Sequence, residues 1–128
     1  MMALTLTQPW ASLMAIGAKR IETRSWRTWR RGLLAIHAAK GWTENERELC
    51  FEQPFADALA DAGLSKLRHI DDVRGHVLAV VELIDCIPIR ELGKLPPESD
   101  ASAVPHELEF GGYAPGRWAW RTRNLVRL

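Results

Sequence analysis

Two cysteines, Cys50 and Cys86, are too few and too widely spaced for a disulfide framework or a C-x-x-C metal knuckle. Both stand among apolar neighbours and read as reduced core thiols, as in a cytosolic chain. No apolar run approaches the ~18 residues of a spanning helix. The N-terminus also lacks the charged and then apolar segments of a secretory leader, so no membrane association is expected and a cytoplasmic location is. Nucleotide-loop chemistry is missing too: "GGYAPGRW" is too short for a phosphate loop and has no G-K-[ST]. There is no G-x-S-x-G and no Ser-His-Asp order, which removes serine hydrolases. No His or Cys stands at a metal-ligand spacing from His37, so neither a metal nor a cofactor is expected. Repeats, low-complexity tracts and interdomain linkers are absent, and residues 1–128 read as a single domain.

What is present is a globular composition, 47% hydrophobic and 26% charged, with an uneven charge distribution beneath a net +1. Residues 1–40 carry seven basic residues and one acid, and residues 41–72 three and eight. Residues 73–116 carry three and seven, and the last twelve have four arginines and no acid. If the two ends meet in the fold they form a basic face suited to a phosphate-bearing or nucleic-acid partner. The alternative is that Arg27, Arg30, Arg31 and the C-terminal arginines solvate strand edges.

Periodicity supplies the elements. "ALTLT" alternates as a short strand. Thr7 or Gln8 then caps a helix with Pro9 in its first position. That helix runs through Trp10, Leu13, Met14 and Ile16 and stops at Gly17, in a left-handed C-terminal position. From Ile21 the period becomes two, with Ile21, Thr23 and Ser25 on one face and Glu22, Arg24 and Trp26 on the other. Lys19 falls in the intervening turn, where it should contribute little core packing. "RRGLLAIHAAK" reads as a strand buried on both faces. "TENERELCFEQPFADALADAG" reads as an amphipathic helix with a Thr43–Glu46 capping box, split or kinked at Pro54. "GHVLAVVELIDCIPI" is the longest strand and "GRWAWRTRNLV" the last, with a long surface loop over 90–112 that includes His106. His69 and His76 flank a turn. Five or six strands and two helices in this order predict an α+β fold, a small, mostly antiparallel barrel with flanking helices.

Several residues could carry chemistry. Glu82 interrupts an apolar strand, so it either pairs with Arg24 or a C-terminal arginine, or it is a desolvated acid lining a cavity. The fold is expected to bring Glu82 close enough to Arg24 to pair, or into a cleft shared with Lys19. His37 is either a satisfied strand histidine or a ligand group. Among six tryptophans, Trp118 and Trp120 share one face of the last strand and suit the core. Trp10, Trp26 and Trp29 gather near the charged stretch, where an aromatic beside Lys and Arg can stack a base; a hydrophobic lid is the alternative for Trp26 and Trp29.

"LTLTQPWASLMAIGAKRIETRSW" resembles the ASCH domain, a small barrel of the PUA-like superfamily, through the pattern G-x-K-x-x-E-x-R at Gly17, Lys19, Glu22 and Arg24. "GLLAIHAAKGW" and "YAPGRWAW" are similar to the matching stretches of the branch that includes the endothelial-overexpressed, lipopolysaccharide-associated proteins. The likeness leaves out residues 43–74 and 90–110. It implies a cleft between the first helix and the barrel for RNA or a nucleoside; the chain itself is expected to be a monomer. Some members hydrolyse the amide of N4-acetylcytidine without a metal, using a lysine, a threonine and a glutamate; one cleaves single-stranded RNA. Carried over, this implies Lys19, Glu22 and Glu82 as catalytic residues. Gln8, Pro9, Trp10, Arg24, Trp26, His37, Tyr113 and Arg117 become substrate contacts. The threonine of the compact bacterial members falls at Glu22, so either Glu22 activates water or Thr5, Thr7 or Thr23 substitutes. Thr23 faces away from Glu22 on a regular strand. An N4-acylcytidine amidohydrolase is the leading expectation, with a non-catalytic RNA-binding module or a ribonuclease as alternatives.

Overall fold

A computed structural model of the chain describes residues 1–94 and 107–128. His106 and the middle of the loop expected over 90–112 lie outside the described residues. Among the described residues five strands form one curled sheet: β1 (Met2–Leu6), β2 (Ile21–Arg24), β3 (Gly32–Ala38), β4 (Val77–Pro88) and β5 (Trp118–Arg127). Their order is β1-β3-β4-β5-β2, so the two N-terminal strands are the edges. The β3–β4, β4–β5 and β5–β2 pairings are antiparallel, and β1 lies parallel to β3 with Leu4 opposite Ile36. The result is the expected α+β half-barrel.

Helix α1 (Trp10–Ala15) fills the concavity. Ala11, Met14 and Ala15 pack on Leu34, Ile36, Val81, Leu83 and Trp120 of the sheet. Leu13, on its other side, joins Phe55, Leu59, Ile70 and Phe110. A helix apolar on all sides is a buried one, and α1 is buried along most of its length for this reason. Gly17 has φ +80°, the left-handed value that ends a helix where a Cβ would be strained.

Thr43 opens α2 (Glu44–Leu49) with the expected capping box, its N–H donating to Glu46 Oε1 at 2.7 Å. Pro54 separates α2 from α3 (Phe55–Asp61). A fourth helix, α4 (Leu67–Asp71), was not anticipated; it contains His69 and buries Ile70. Strand β3 corrects a further expectation. Leu34, Ile36 and Ala38 are buried but Leu33 is 60% exposed, because α1 covers only the concave face of the sheet. Trp120 is buried as expected, while Trp26 and Trp29 are exposed at 52% and 74%.

Candidate functional site

The site begins at the turn between α1 and β2. After Gly17 the N–H groups of Ala18 and Lys19 both donate to the Leu13 carbonyl, at 3.0 and 3.2 Å. The chain doubles back, and the Lys19 side chain is directed inward until it is only 1% exposed. Its ammonium donates to the Ile21 carbonyl and lies 3.7 Å from Glu22 Oε1 and 3.9 Å from Glu107 Oε1. Burial pulls the pKa of Lys19 below its ordinary 10.5, against the pull of the two carboxylates. The expectation that Lys19 is a peripheral turn residue is therefore corrected: it is among the most buried side chains in the protein.

Glu107 is the second acid of this cluster, and nothing in the sequence marked it. It opens a short 3-10 turn, Glu107–Phe110. Its carboxylate accepts from the backbone N–H of Arg20 at 2.7 Å and of Ile21 at 3.0 Å, and from the Tyr113 hydroxyl at 3.4 Å. Desolvation raises its pKa above 4.5 even though Lys19 and those donors favour the charged form. Glu107 thus pins the segment 107–113 across β2. Gly112 N–H adds a bond to Thr23 Oγ1 at 3.1 Å, and the Tyr113 ring packs so closely on Gly111 that a Cβ there would lie 2.6 Å from it. A locally unremarkable loop glutamate carries no signal in one sequence; only the fold brings it beneath the β2 edge.

Glu22, Thr23 and Arg24 lie above this floor. Glu22 Oε2 accepts from Arg24, 3.0 Å from Nε and 2.9 Å from Nη2. Arg24 Nη2 also donates to the Thr5 carbonyl of β1 at 2.9 Å, linking the two edge strands that share no ladder. Between those edges lies a cavity of about 570 Å³. Thr5, Leu6, Thr7 and Trp10 form one part of its wall, Glu22 to Trp26 another, and Glu109 to Gly112 with Arg117 the rest. Arg24 sits over the Trp26 ring, 5.3 Å from its centroid, and Trp26 contacts Trp120 edge-on at 6.3 Å. Thr23 lines the cavity together with Glu22, although a regular strand would turn it away. There its Oγ1 accepts from the N–H of Gly112, which belongs to the same wall.

Of the residues anticipated from sequence, Glu22, Arg24, Trp10, Trp26 and Arg117 line the cavity. Arg117 Nη2 donates to the Thr23 carbonyl at 3.0 Å, and its Nε is buried without a hydrogen-bond partner among the described residues. Lys19 stands behind Glu22 and reaches the cavity only through it. Tyr113 acts through Glu107 and Gly111 rather than at the wall. Gln8 is fully buried, its amide committed to Ser12 N at 2.9 Å, Ser12 Oγ at 2.8 Å and the Ile70 carbonyl at 3.3 Å; Pro9 is buried beside it. His37 lies off the cavity, with Nδ1 3.2 Å from Thr5 Oγ1. Glu82 is also elsewhere. It pairs with Arg123 at 2.6 Å on the β4–β5 surface and meets neither Arg24 nor Lys19, because alternation along β4 turns Val81 and Leu83 inward and Glu82 out. No cluster of His, Cys, Asp and Glu able to hold a metal occurs among the described residues.

Comparison with known proteins places this geometry. The sequence pattern of the ASCH domain matches residues 4–120. Activating signal cointegrator 1 of Mus musculus is 37% identical over 105 residues, which cover 79% of this chain and 18% of the relative. The Homo sapiens protein of the same name is 35% identical over 105 residues, with the same coverage. The chain therefore spans less than a fifth of the length of these relatives.

Proposed function

The chain belongs to the ASCH domain family, and on that premise we propose that its seam cavity holds one unstacked pyrimidine base, presented by a nucleoside or by single-stranded RNA. One observation carries this reading: a half-exposed indole, two guanidiniums and a charge-compensated carboxylate converge on the same cavity. An aromatic face with neighbouring arginine is the sequence-tolerant means of holding a base. Glu22 adds selectivity, since a carboxylate accepts from the exocyclic amine of cytosine. Lys19 and Arg24 balance its charge, so it does not repel a phosphate at the rim. A volume of about 570 Å³ lies within the common range for small-ligand sites, ~300–1,000 Å³.

A finer reading is hydrolysis of an N4-acylated cytidine in the same cavity, favoured by the placement of Glu22 and Thr23 side by side on its wall. Here Glu22 takes a proton from a water that adds to the acyl carbon, and a proton passes to N4 as the C–N bond breaks. The products are the free carboxylic acid and cytidine. Lys19 does not touch substrate in this scheme; it positions Glu22 from behind. Both readings are tested with N4-acetylcytidine and cytidine. Saturable quenching of tryptophan fluorescence, lost in Trp26→Ala, is expected for base binding, and chelator-insensitive release of cytidine is expected for hydrolysis. Quenching without release leaves the binding module, and the absence of both refutes the cavity assignment.

A further inference from the structure

A second cavity, of about 270 Å³, lies where the end of α1 meets α4, the start of β4 and the end of β5, and it shares no wall residue with the seam cavity. Ala15, Ile16, Leu64, Val73 and Leu78 give it an apolar lining. Ser12, also in the wall, is 2% exposed; its Oγ accepts from Gln8 Nε2 at 2.8 Å, and its own hydroxyl hydrogen has no acceptor among the described residues. His69 Nδ1 accepts from the Lys66 N–H at 3.2 Å, so the neutral ring carries its hydrogen on Nε2. His76 has the opposite tautomer. Its Nδ1 lies 3.0 Å from the Arg74 carbonyl, which can only accept, so its Nε2 keeps a lone pair. Asp72 on one side and Arg127 at the end of β5 complete the polar wall. Both are exposed and opposite in charge, yet among the described residues neither is ion-paired, with the other or with a third group.

The wall therefore offers donors at Ser12, His69 and Arg127, and acceptors at Asp72 and His76, around an apolar lining. Opposite charges that share a cavity without pairing are both open to a ligand that carries both signs, and each contact is then charge-assisted. We propose that this cavity binds a free aliphatic α-amino acid. Its carboxylate takes the donors of Arg127, Ser12 and His69; its ammonium takes the acceptors of Asp72 and His76; its branched side chain covers the apolar lining. A simple carboxylic acid would leave Asp72 unanswered, and a simple amine would leave Arg127 so, which is the basis for selecting a zwitterion. The volume agrees. It falls just below the ~300–1,000 Å³ of sites for drug-sized ligands, which suits a small metabolite. The site stands independently of whatever occupies the seam.

The test titrates the whole chain calorimetrically with L-leucine, with 4-methylpentanoate, which lacks the ammonium, with 3-methylbutylamine, which lacks the carboxylate, and with glycine, which lacks the side chain. Leucine should bind at a single site. The acid and the amine should each bind roughly 10- to 150-fold more weakly, the range for one lost charge-assisted contact. Glycine should bind at least about tenfold more weakly, because it leaves the apolar lining uncovered. Asp72→Asn should weaken leucine and the amine but not the acid, whereas Arg127→Gln should weaken leucine and the acid but not the amine. Both side chains are exposed, so the two variants should melt with wild type. Saturating cytidine should leave leucine binding unchanged. The proposal is overturned by no leucine binding at millimolar concentration, by glycine binding as well as leucine, by leucine binding that survives either substitution undiminished, or by its displacement with cytidine.

Discussion

Replacing Lys19 with methionine keeps the length and apolar stem of the side chain and removes only its charge and donors. In the native protein that charge lies 3.7 Å from Glu22 and 3.9 Å from Glu107, with the lysine and Glu107 side chains each 1% exposed. At an effective dielectric of ~20 each attraction has a gross value of about 4 kcal/mol. Desolvation of three ionised groups offsets much of this sum, so the intact cluster adds little net stability. The variant is not so balanced: it leaves Glu107 and the Ile21 carbonyl without their cation and Glu22 with Arg24 alone. Removing one member of a buried ionic group costs about 3–5 kcal/mol. At about 4 °C per kcal/mol for a domain of this size, Lys19→Met should melt about 12–20 °C below wild type. Thermal unfolding followed by tryptophan fluorescence measures this. Adding Glu107→Gln removes one of the abandoned charges and should restore part of the loss, a coupling that a double-mutant cycle reads directly. A melting temperature within ~2 °C of wild type for Lys19→Met would refute a structural ionic cluster at this position.

Three further outcomes follow from the geometry. Glu107→Gln should change the pH dependence of stability: a carboxyl whose folded pKa lies above 4.5 binds its proton more tightly when folded, so its contribution is greatest below that pH. Relative to the glutamine variant, wild type should lose stability as pH rises from about 4.5 to the higher folded value, and a difference that grows with pH in urea titrations contradicts the assignment. Gly111→Ala places a Cβ 2.6 Å from the Tyr113 ring, so about 1–3 kcal/mol of stability and part of the cytidine affinity should be lost together; unchanged denaturation midpoints contradict this. Glu82→Gln should alter stability by about 0–1 kcal/mol and leave base binding and any turnover intact, because its partner Arg123 is well exposed and the pair is remote from the cavity; loss of binding or turnover would restore Glu82 to the site.

The sequence made visible those features that depend on neighbours along the chain. The α1 stripe, its stop at Gly17, the Thr43–Glu46 box and the break at Pro54 are all local, and so is the spacing that unites Lys19, Glu22 and Arg24. Features set by distant segments were not legible. Glu107 became a partner of Lys19 only because the loop before β5 folds back over β2. Thr23 lines the cavity against the alternation rule, bonded there to Gly112 of the same loop. Lys19 was misjudged because a turn ordinarily exposes its side chains, whereas here two consecutive N–H groups converge on the Leu13 carbonyl and turn the stem inward. Glu82 is legible in part: it pairs with a C-terminal arginine, Arg123, as one reading of the sequence had it, but its position on β4 faces outward, away from Arg24 and Lys19.

The position of the site follows from how the barrel fails to close. In the order β1-β3-β4-β5-β2 the edges are β1 and β2, and each has backbone groups that no neighbouring strand can satisfy. A fifth ladder, pairing β1 with β2, would satisfy them but leave no space between the edges. Instead, one guanidinium crosses the gap, with Arg24 donating to the Thr5 carbonyl. That span demands an oriented arginine, and Glu22 orients it with contacts at 3.0 and 2.9 Å. A carboxylate that is 8% exposed needs further compensation, which Lys19 supplies from below. Lys19 can approach from below only if the chain reverses sharply after α1, and Gly17 at φ +80° permits that reversal. Each position of the pattern G-x-K-x-x-E-x-R thus requires the one before it. Together they hold the seam open enough for a cavity and tight enough that its wall is charged and fixed.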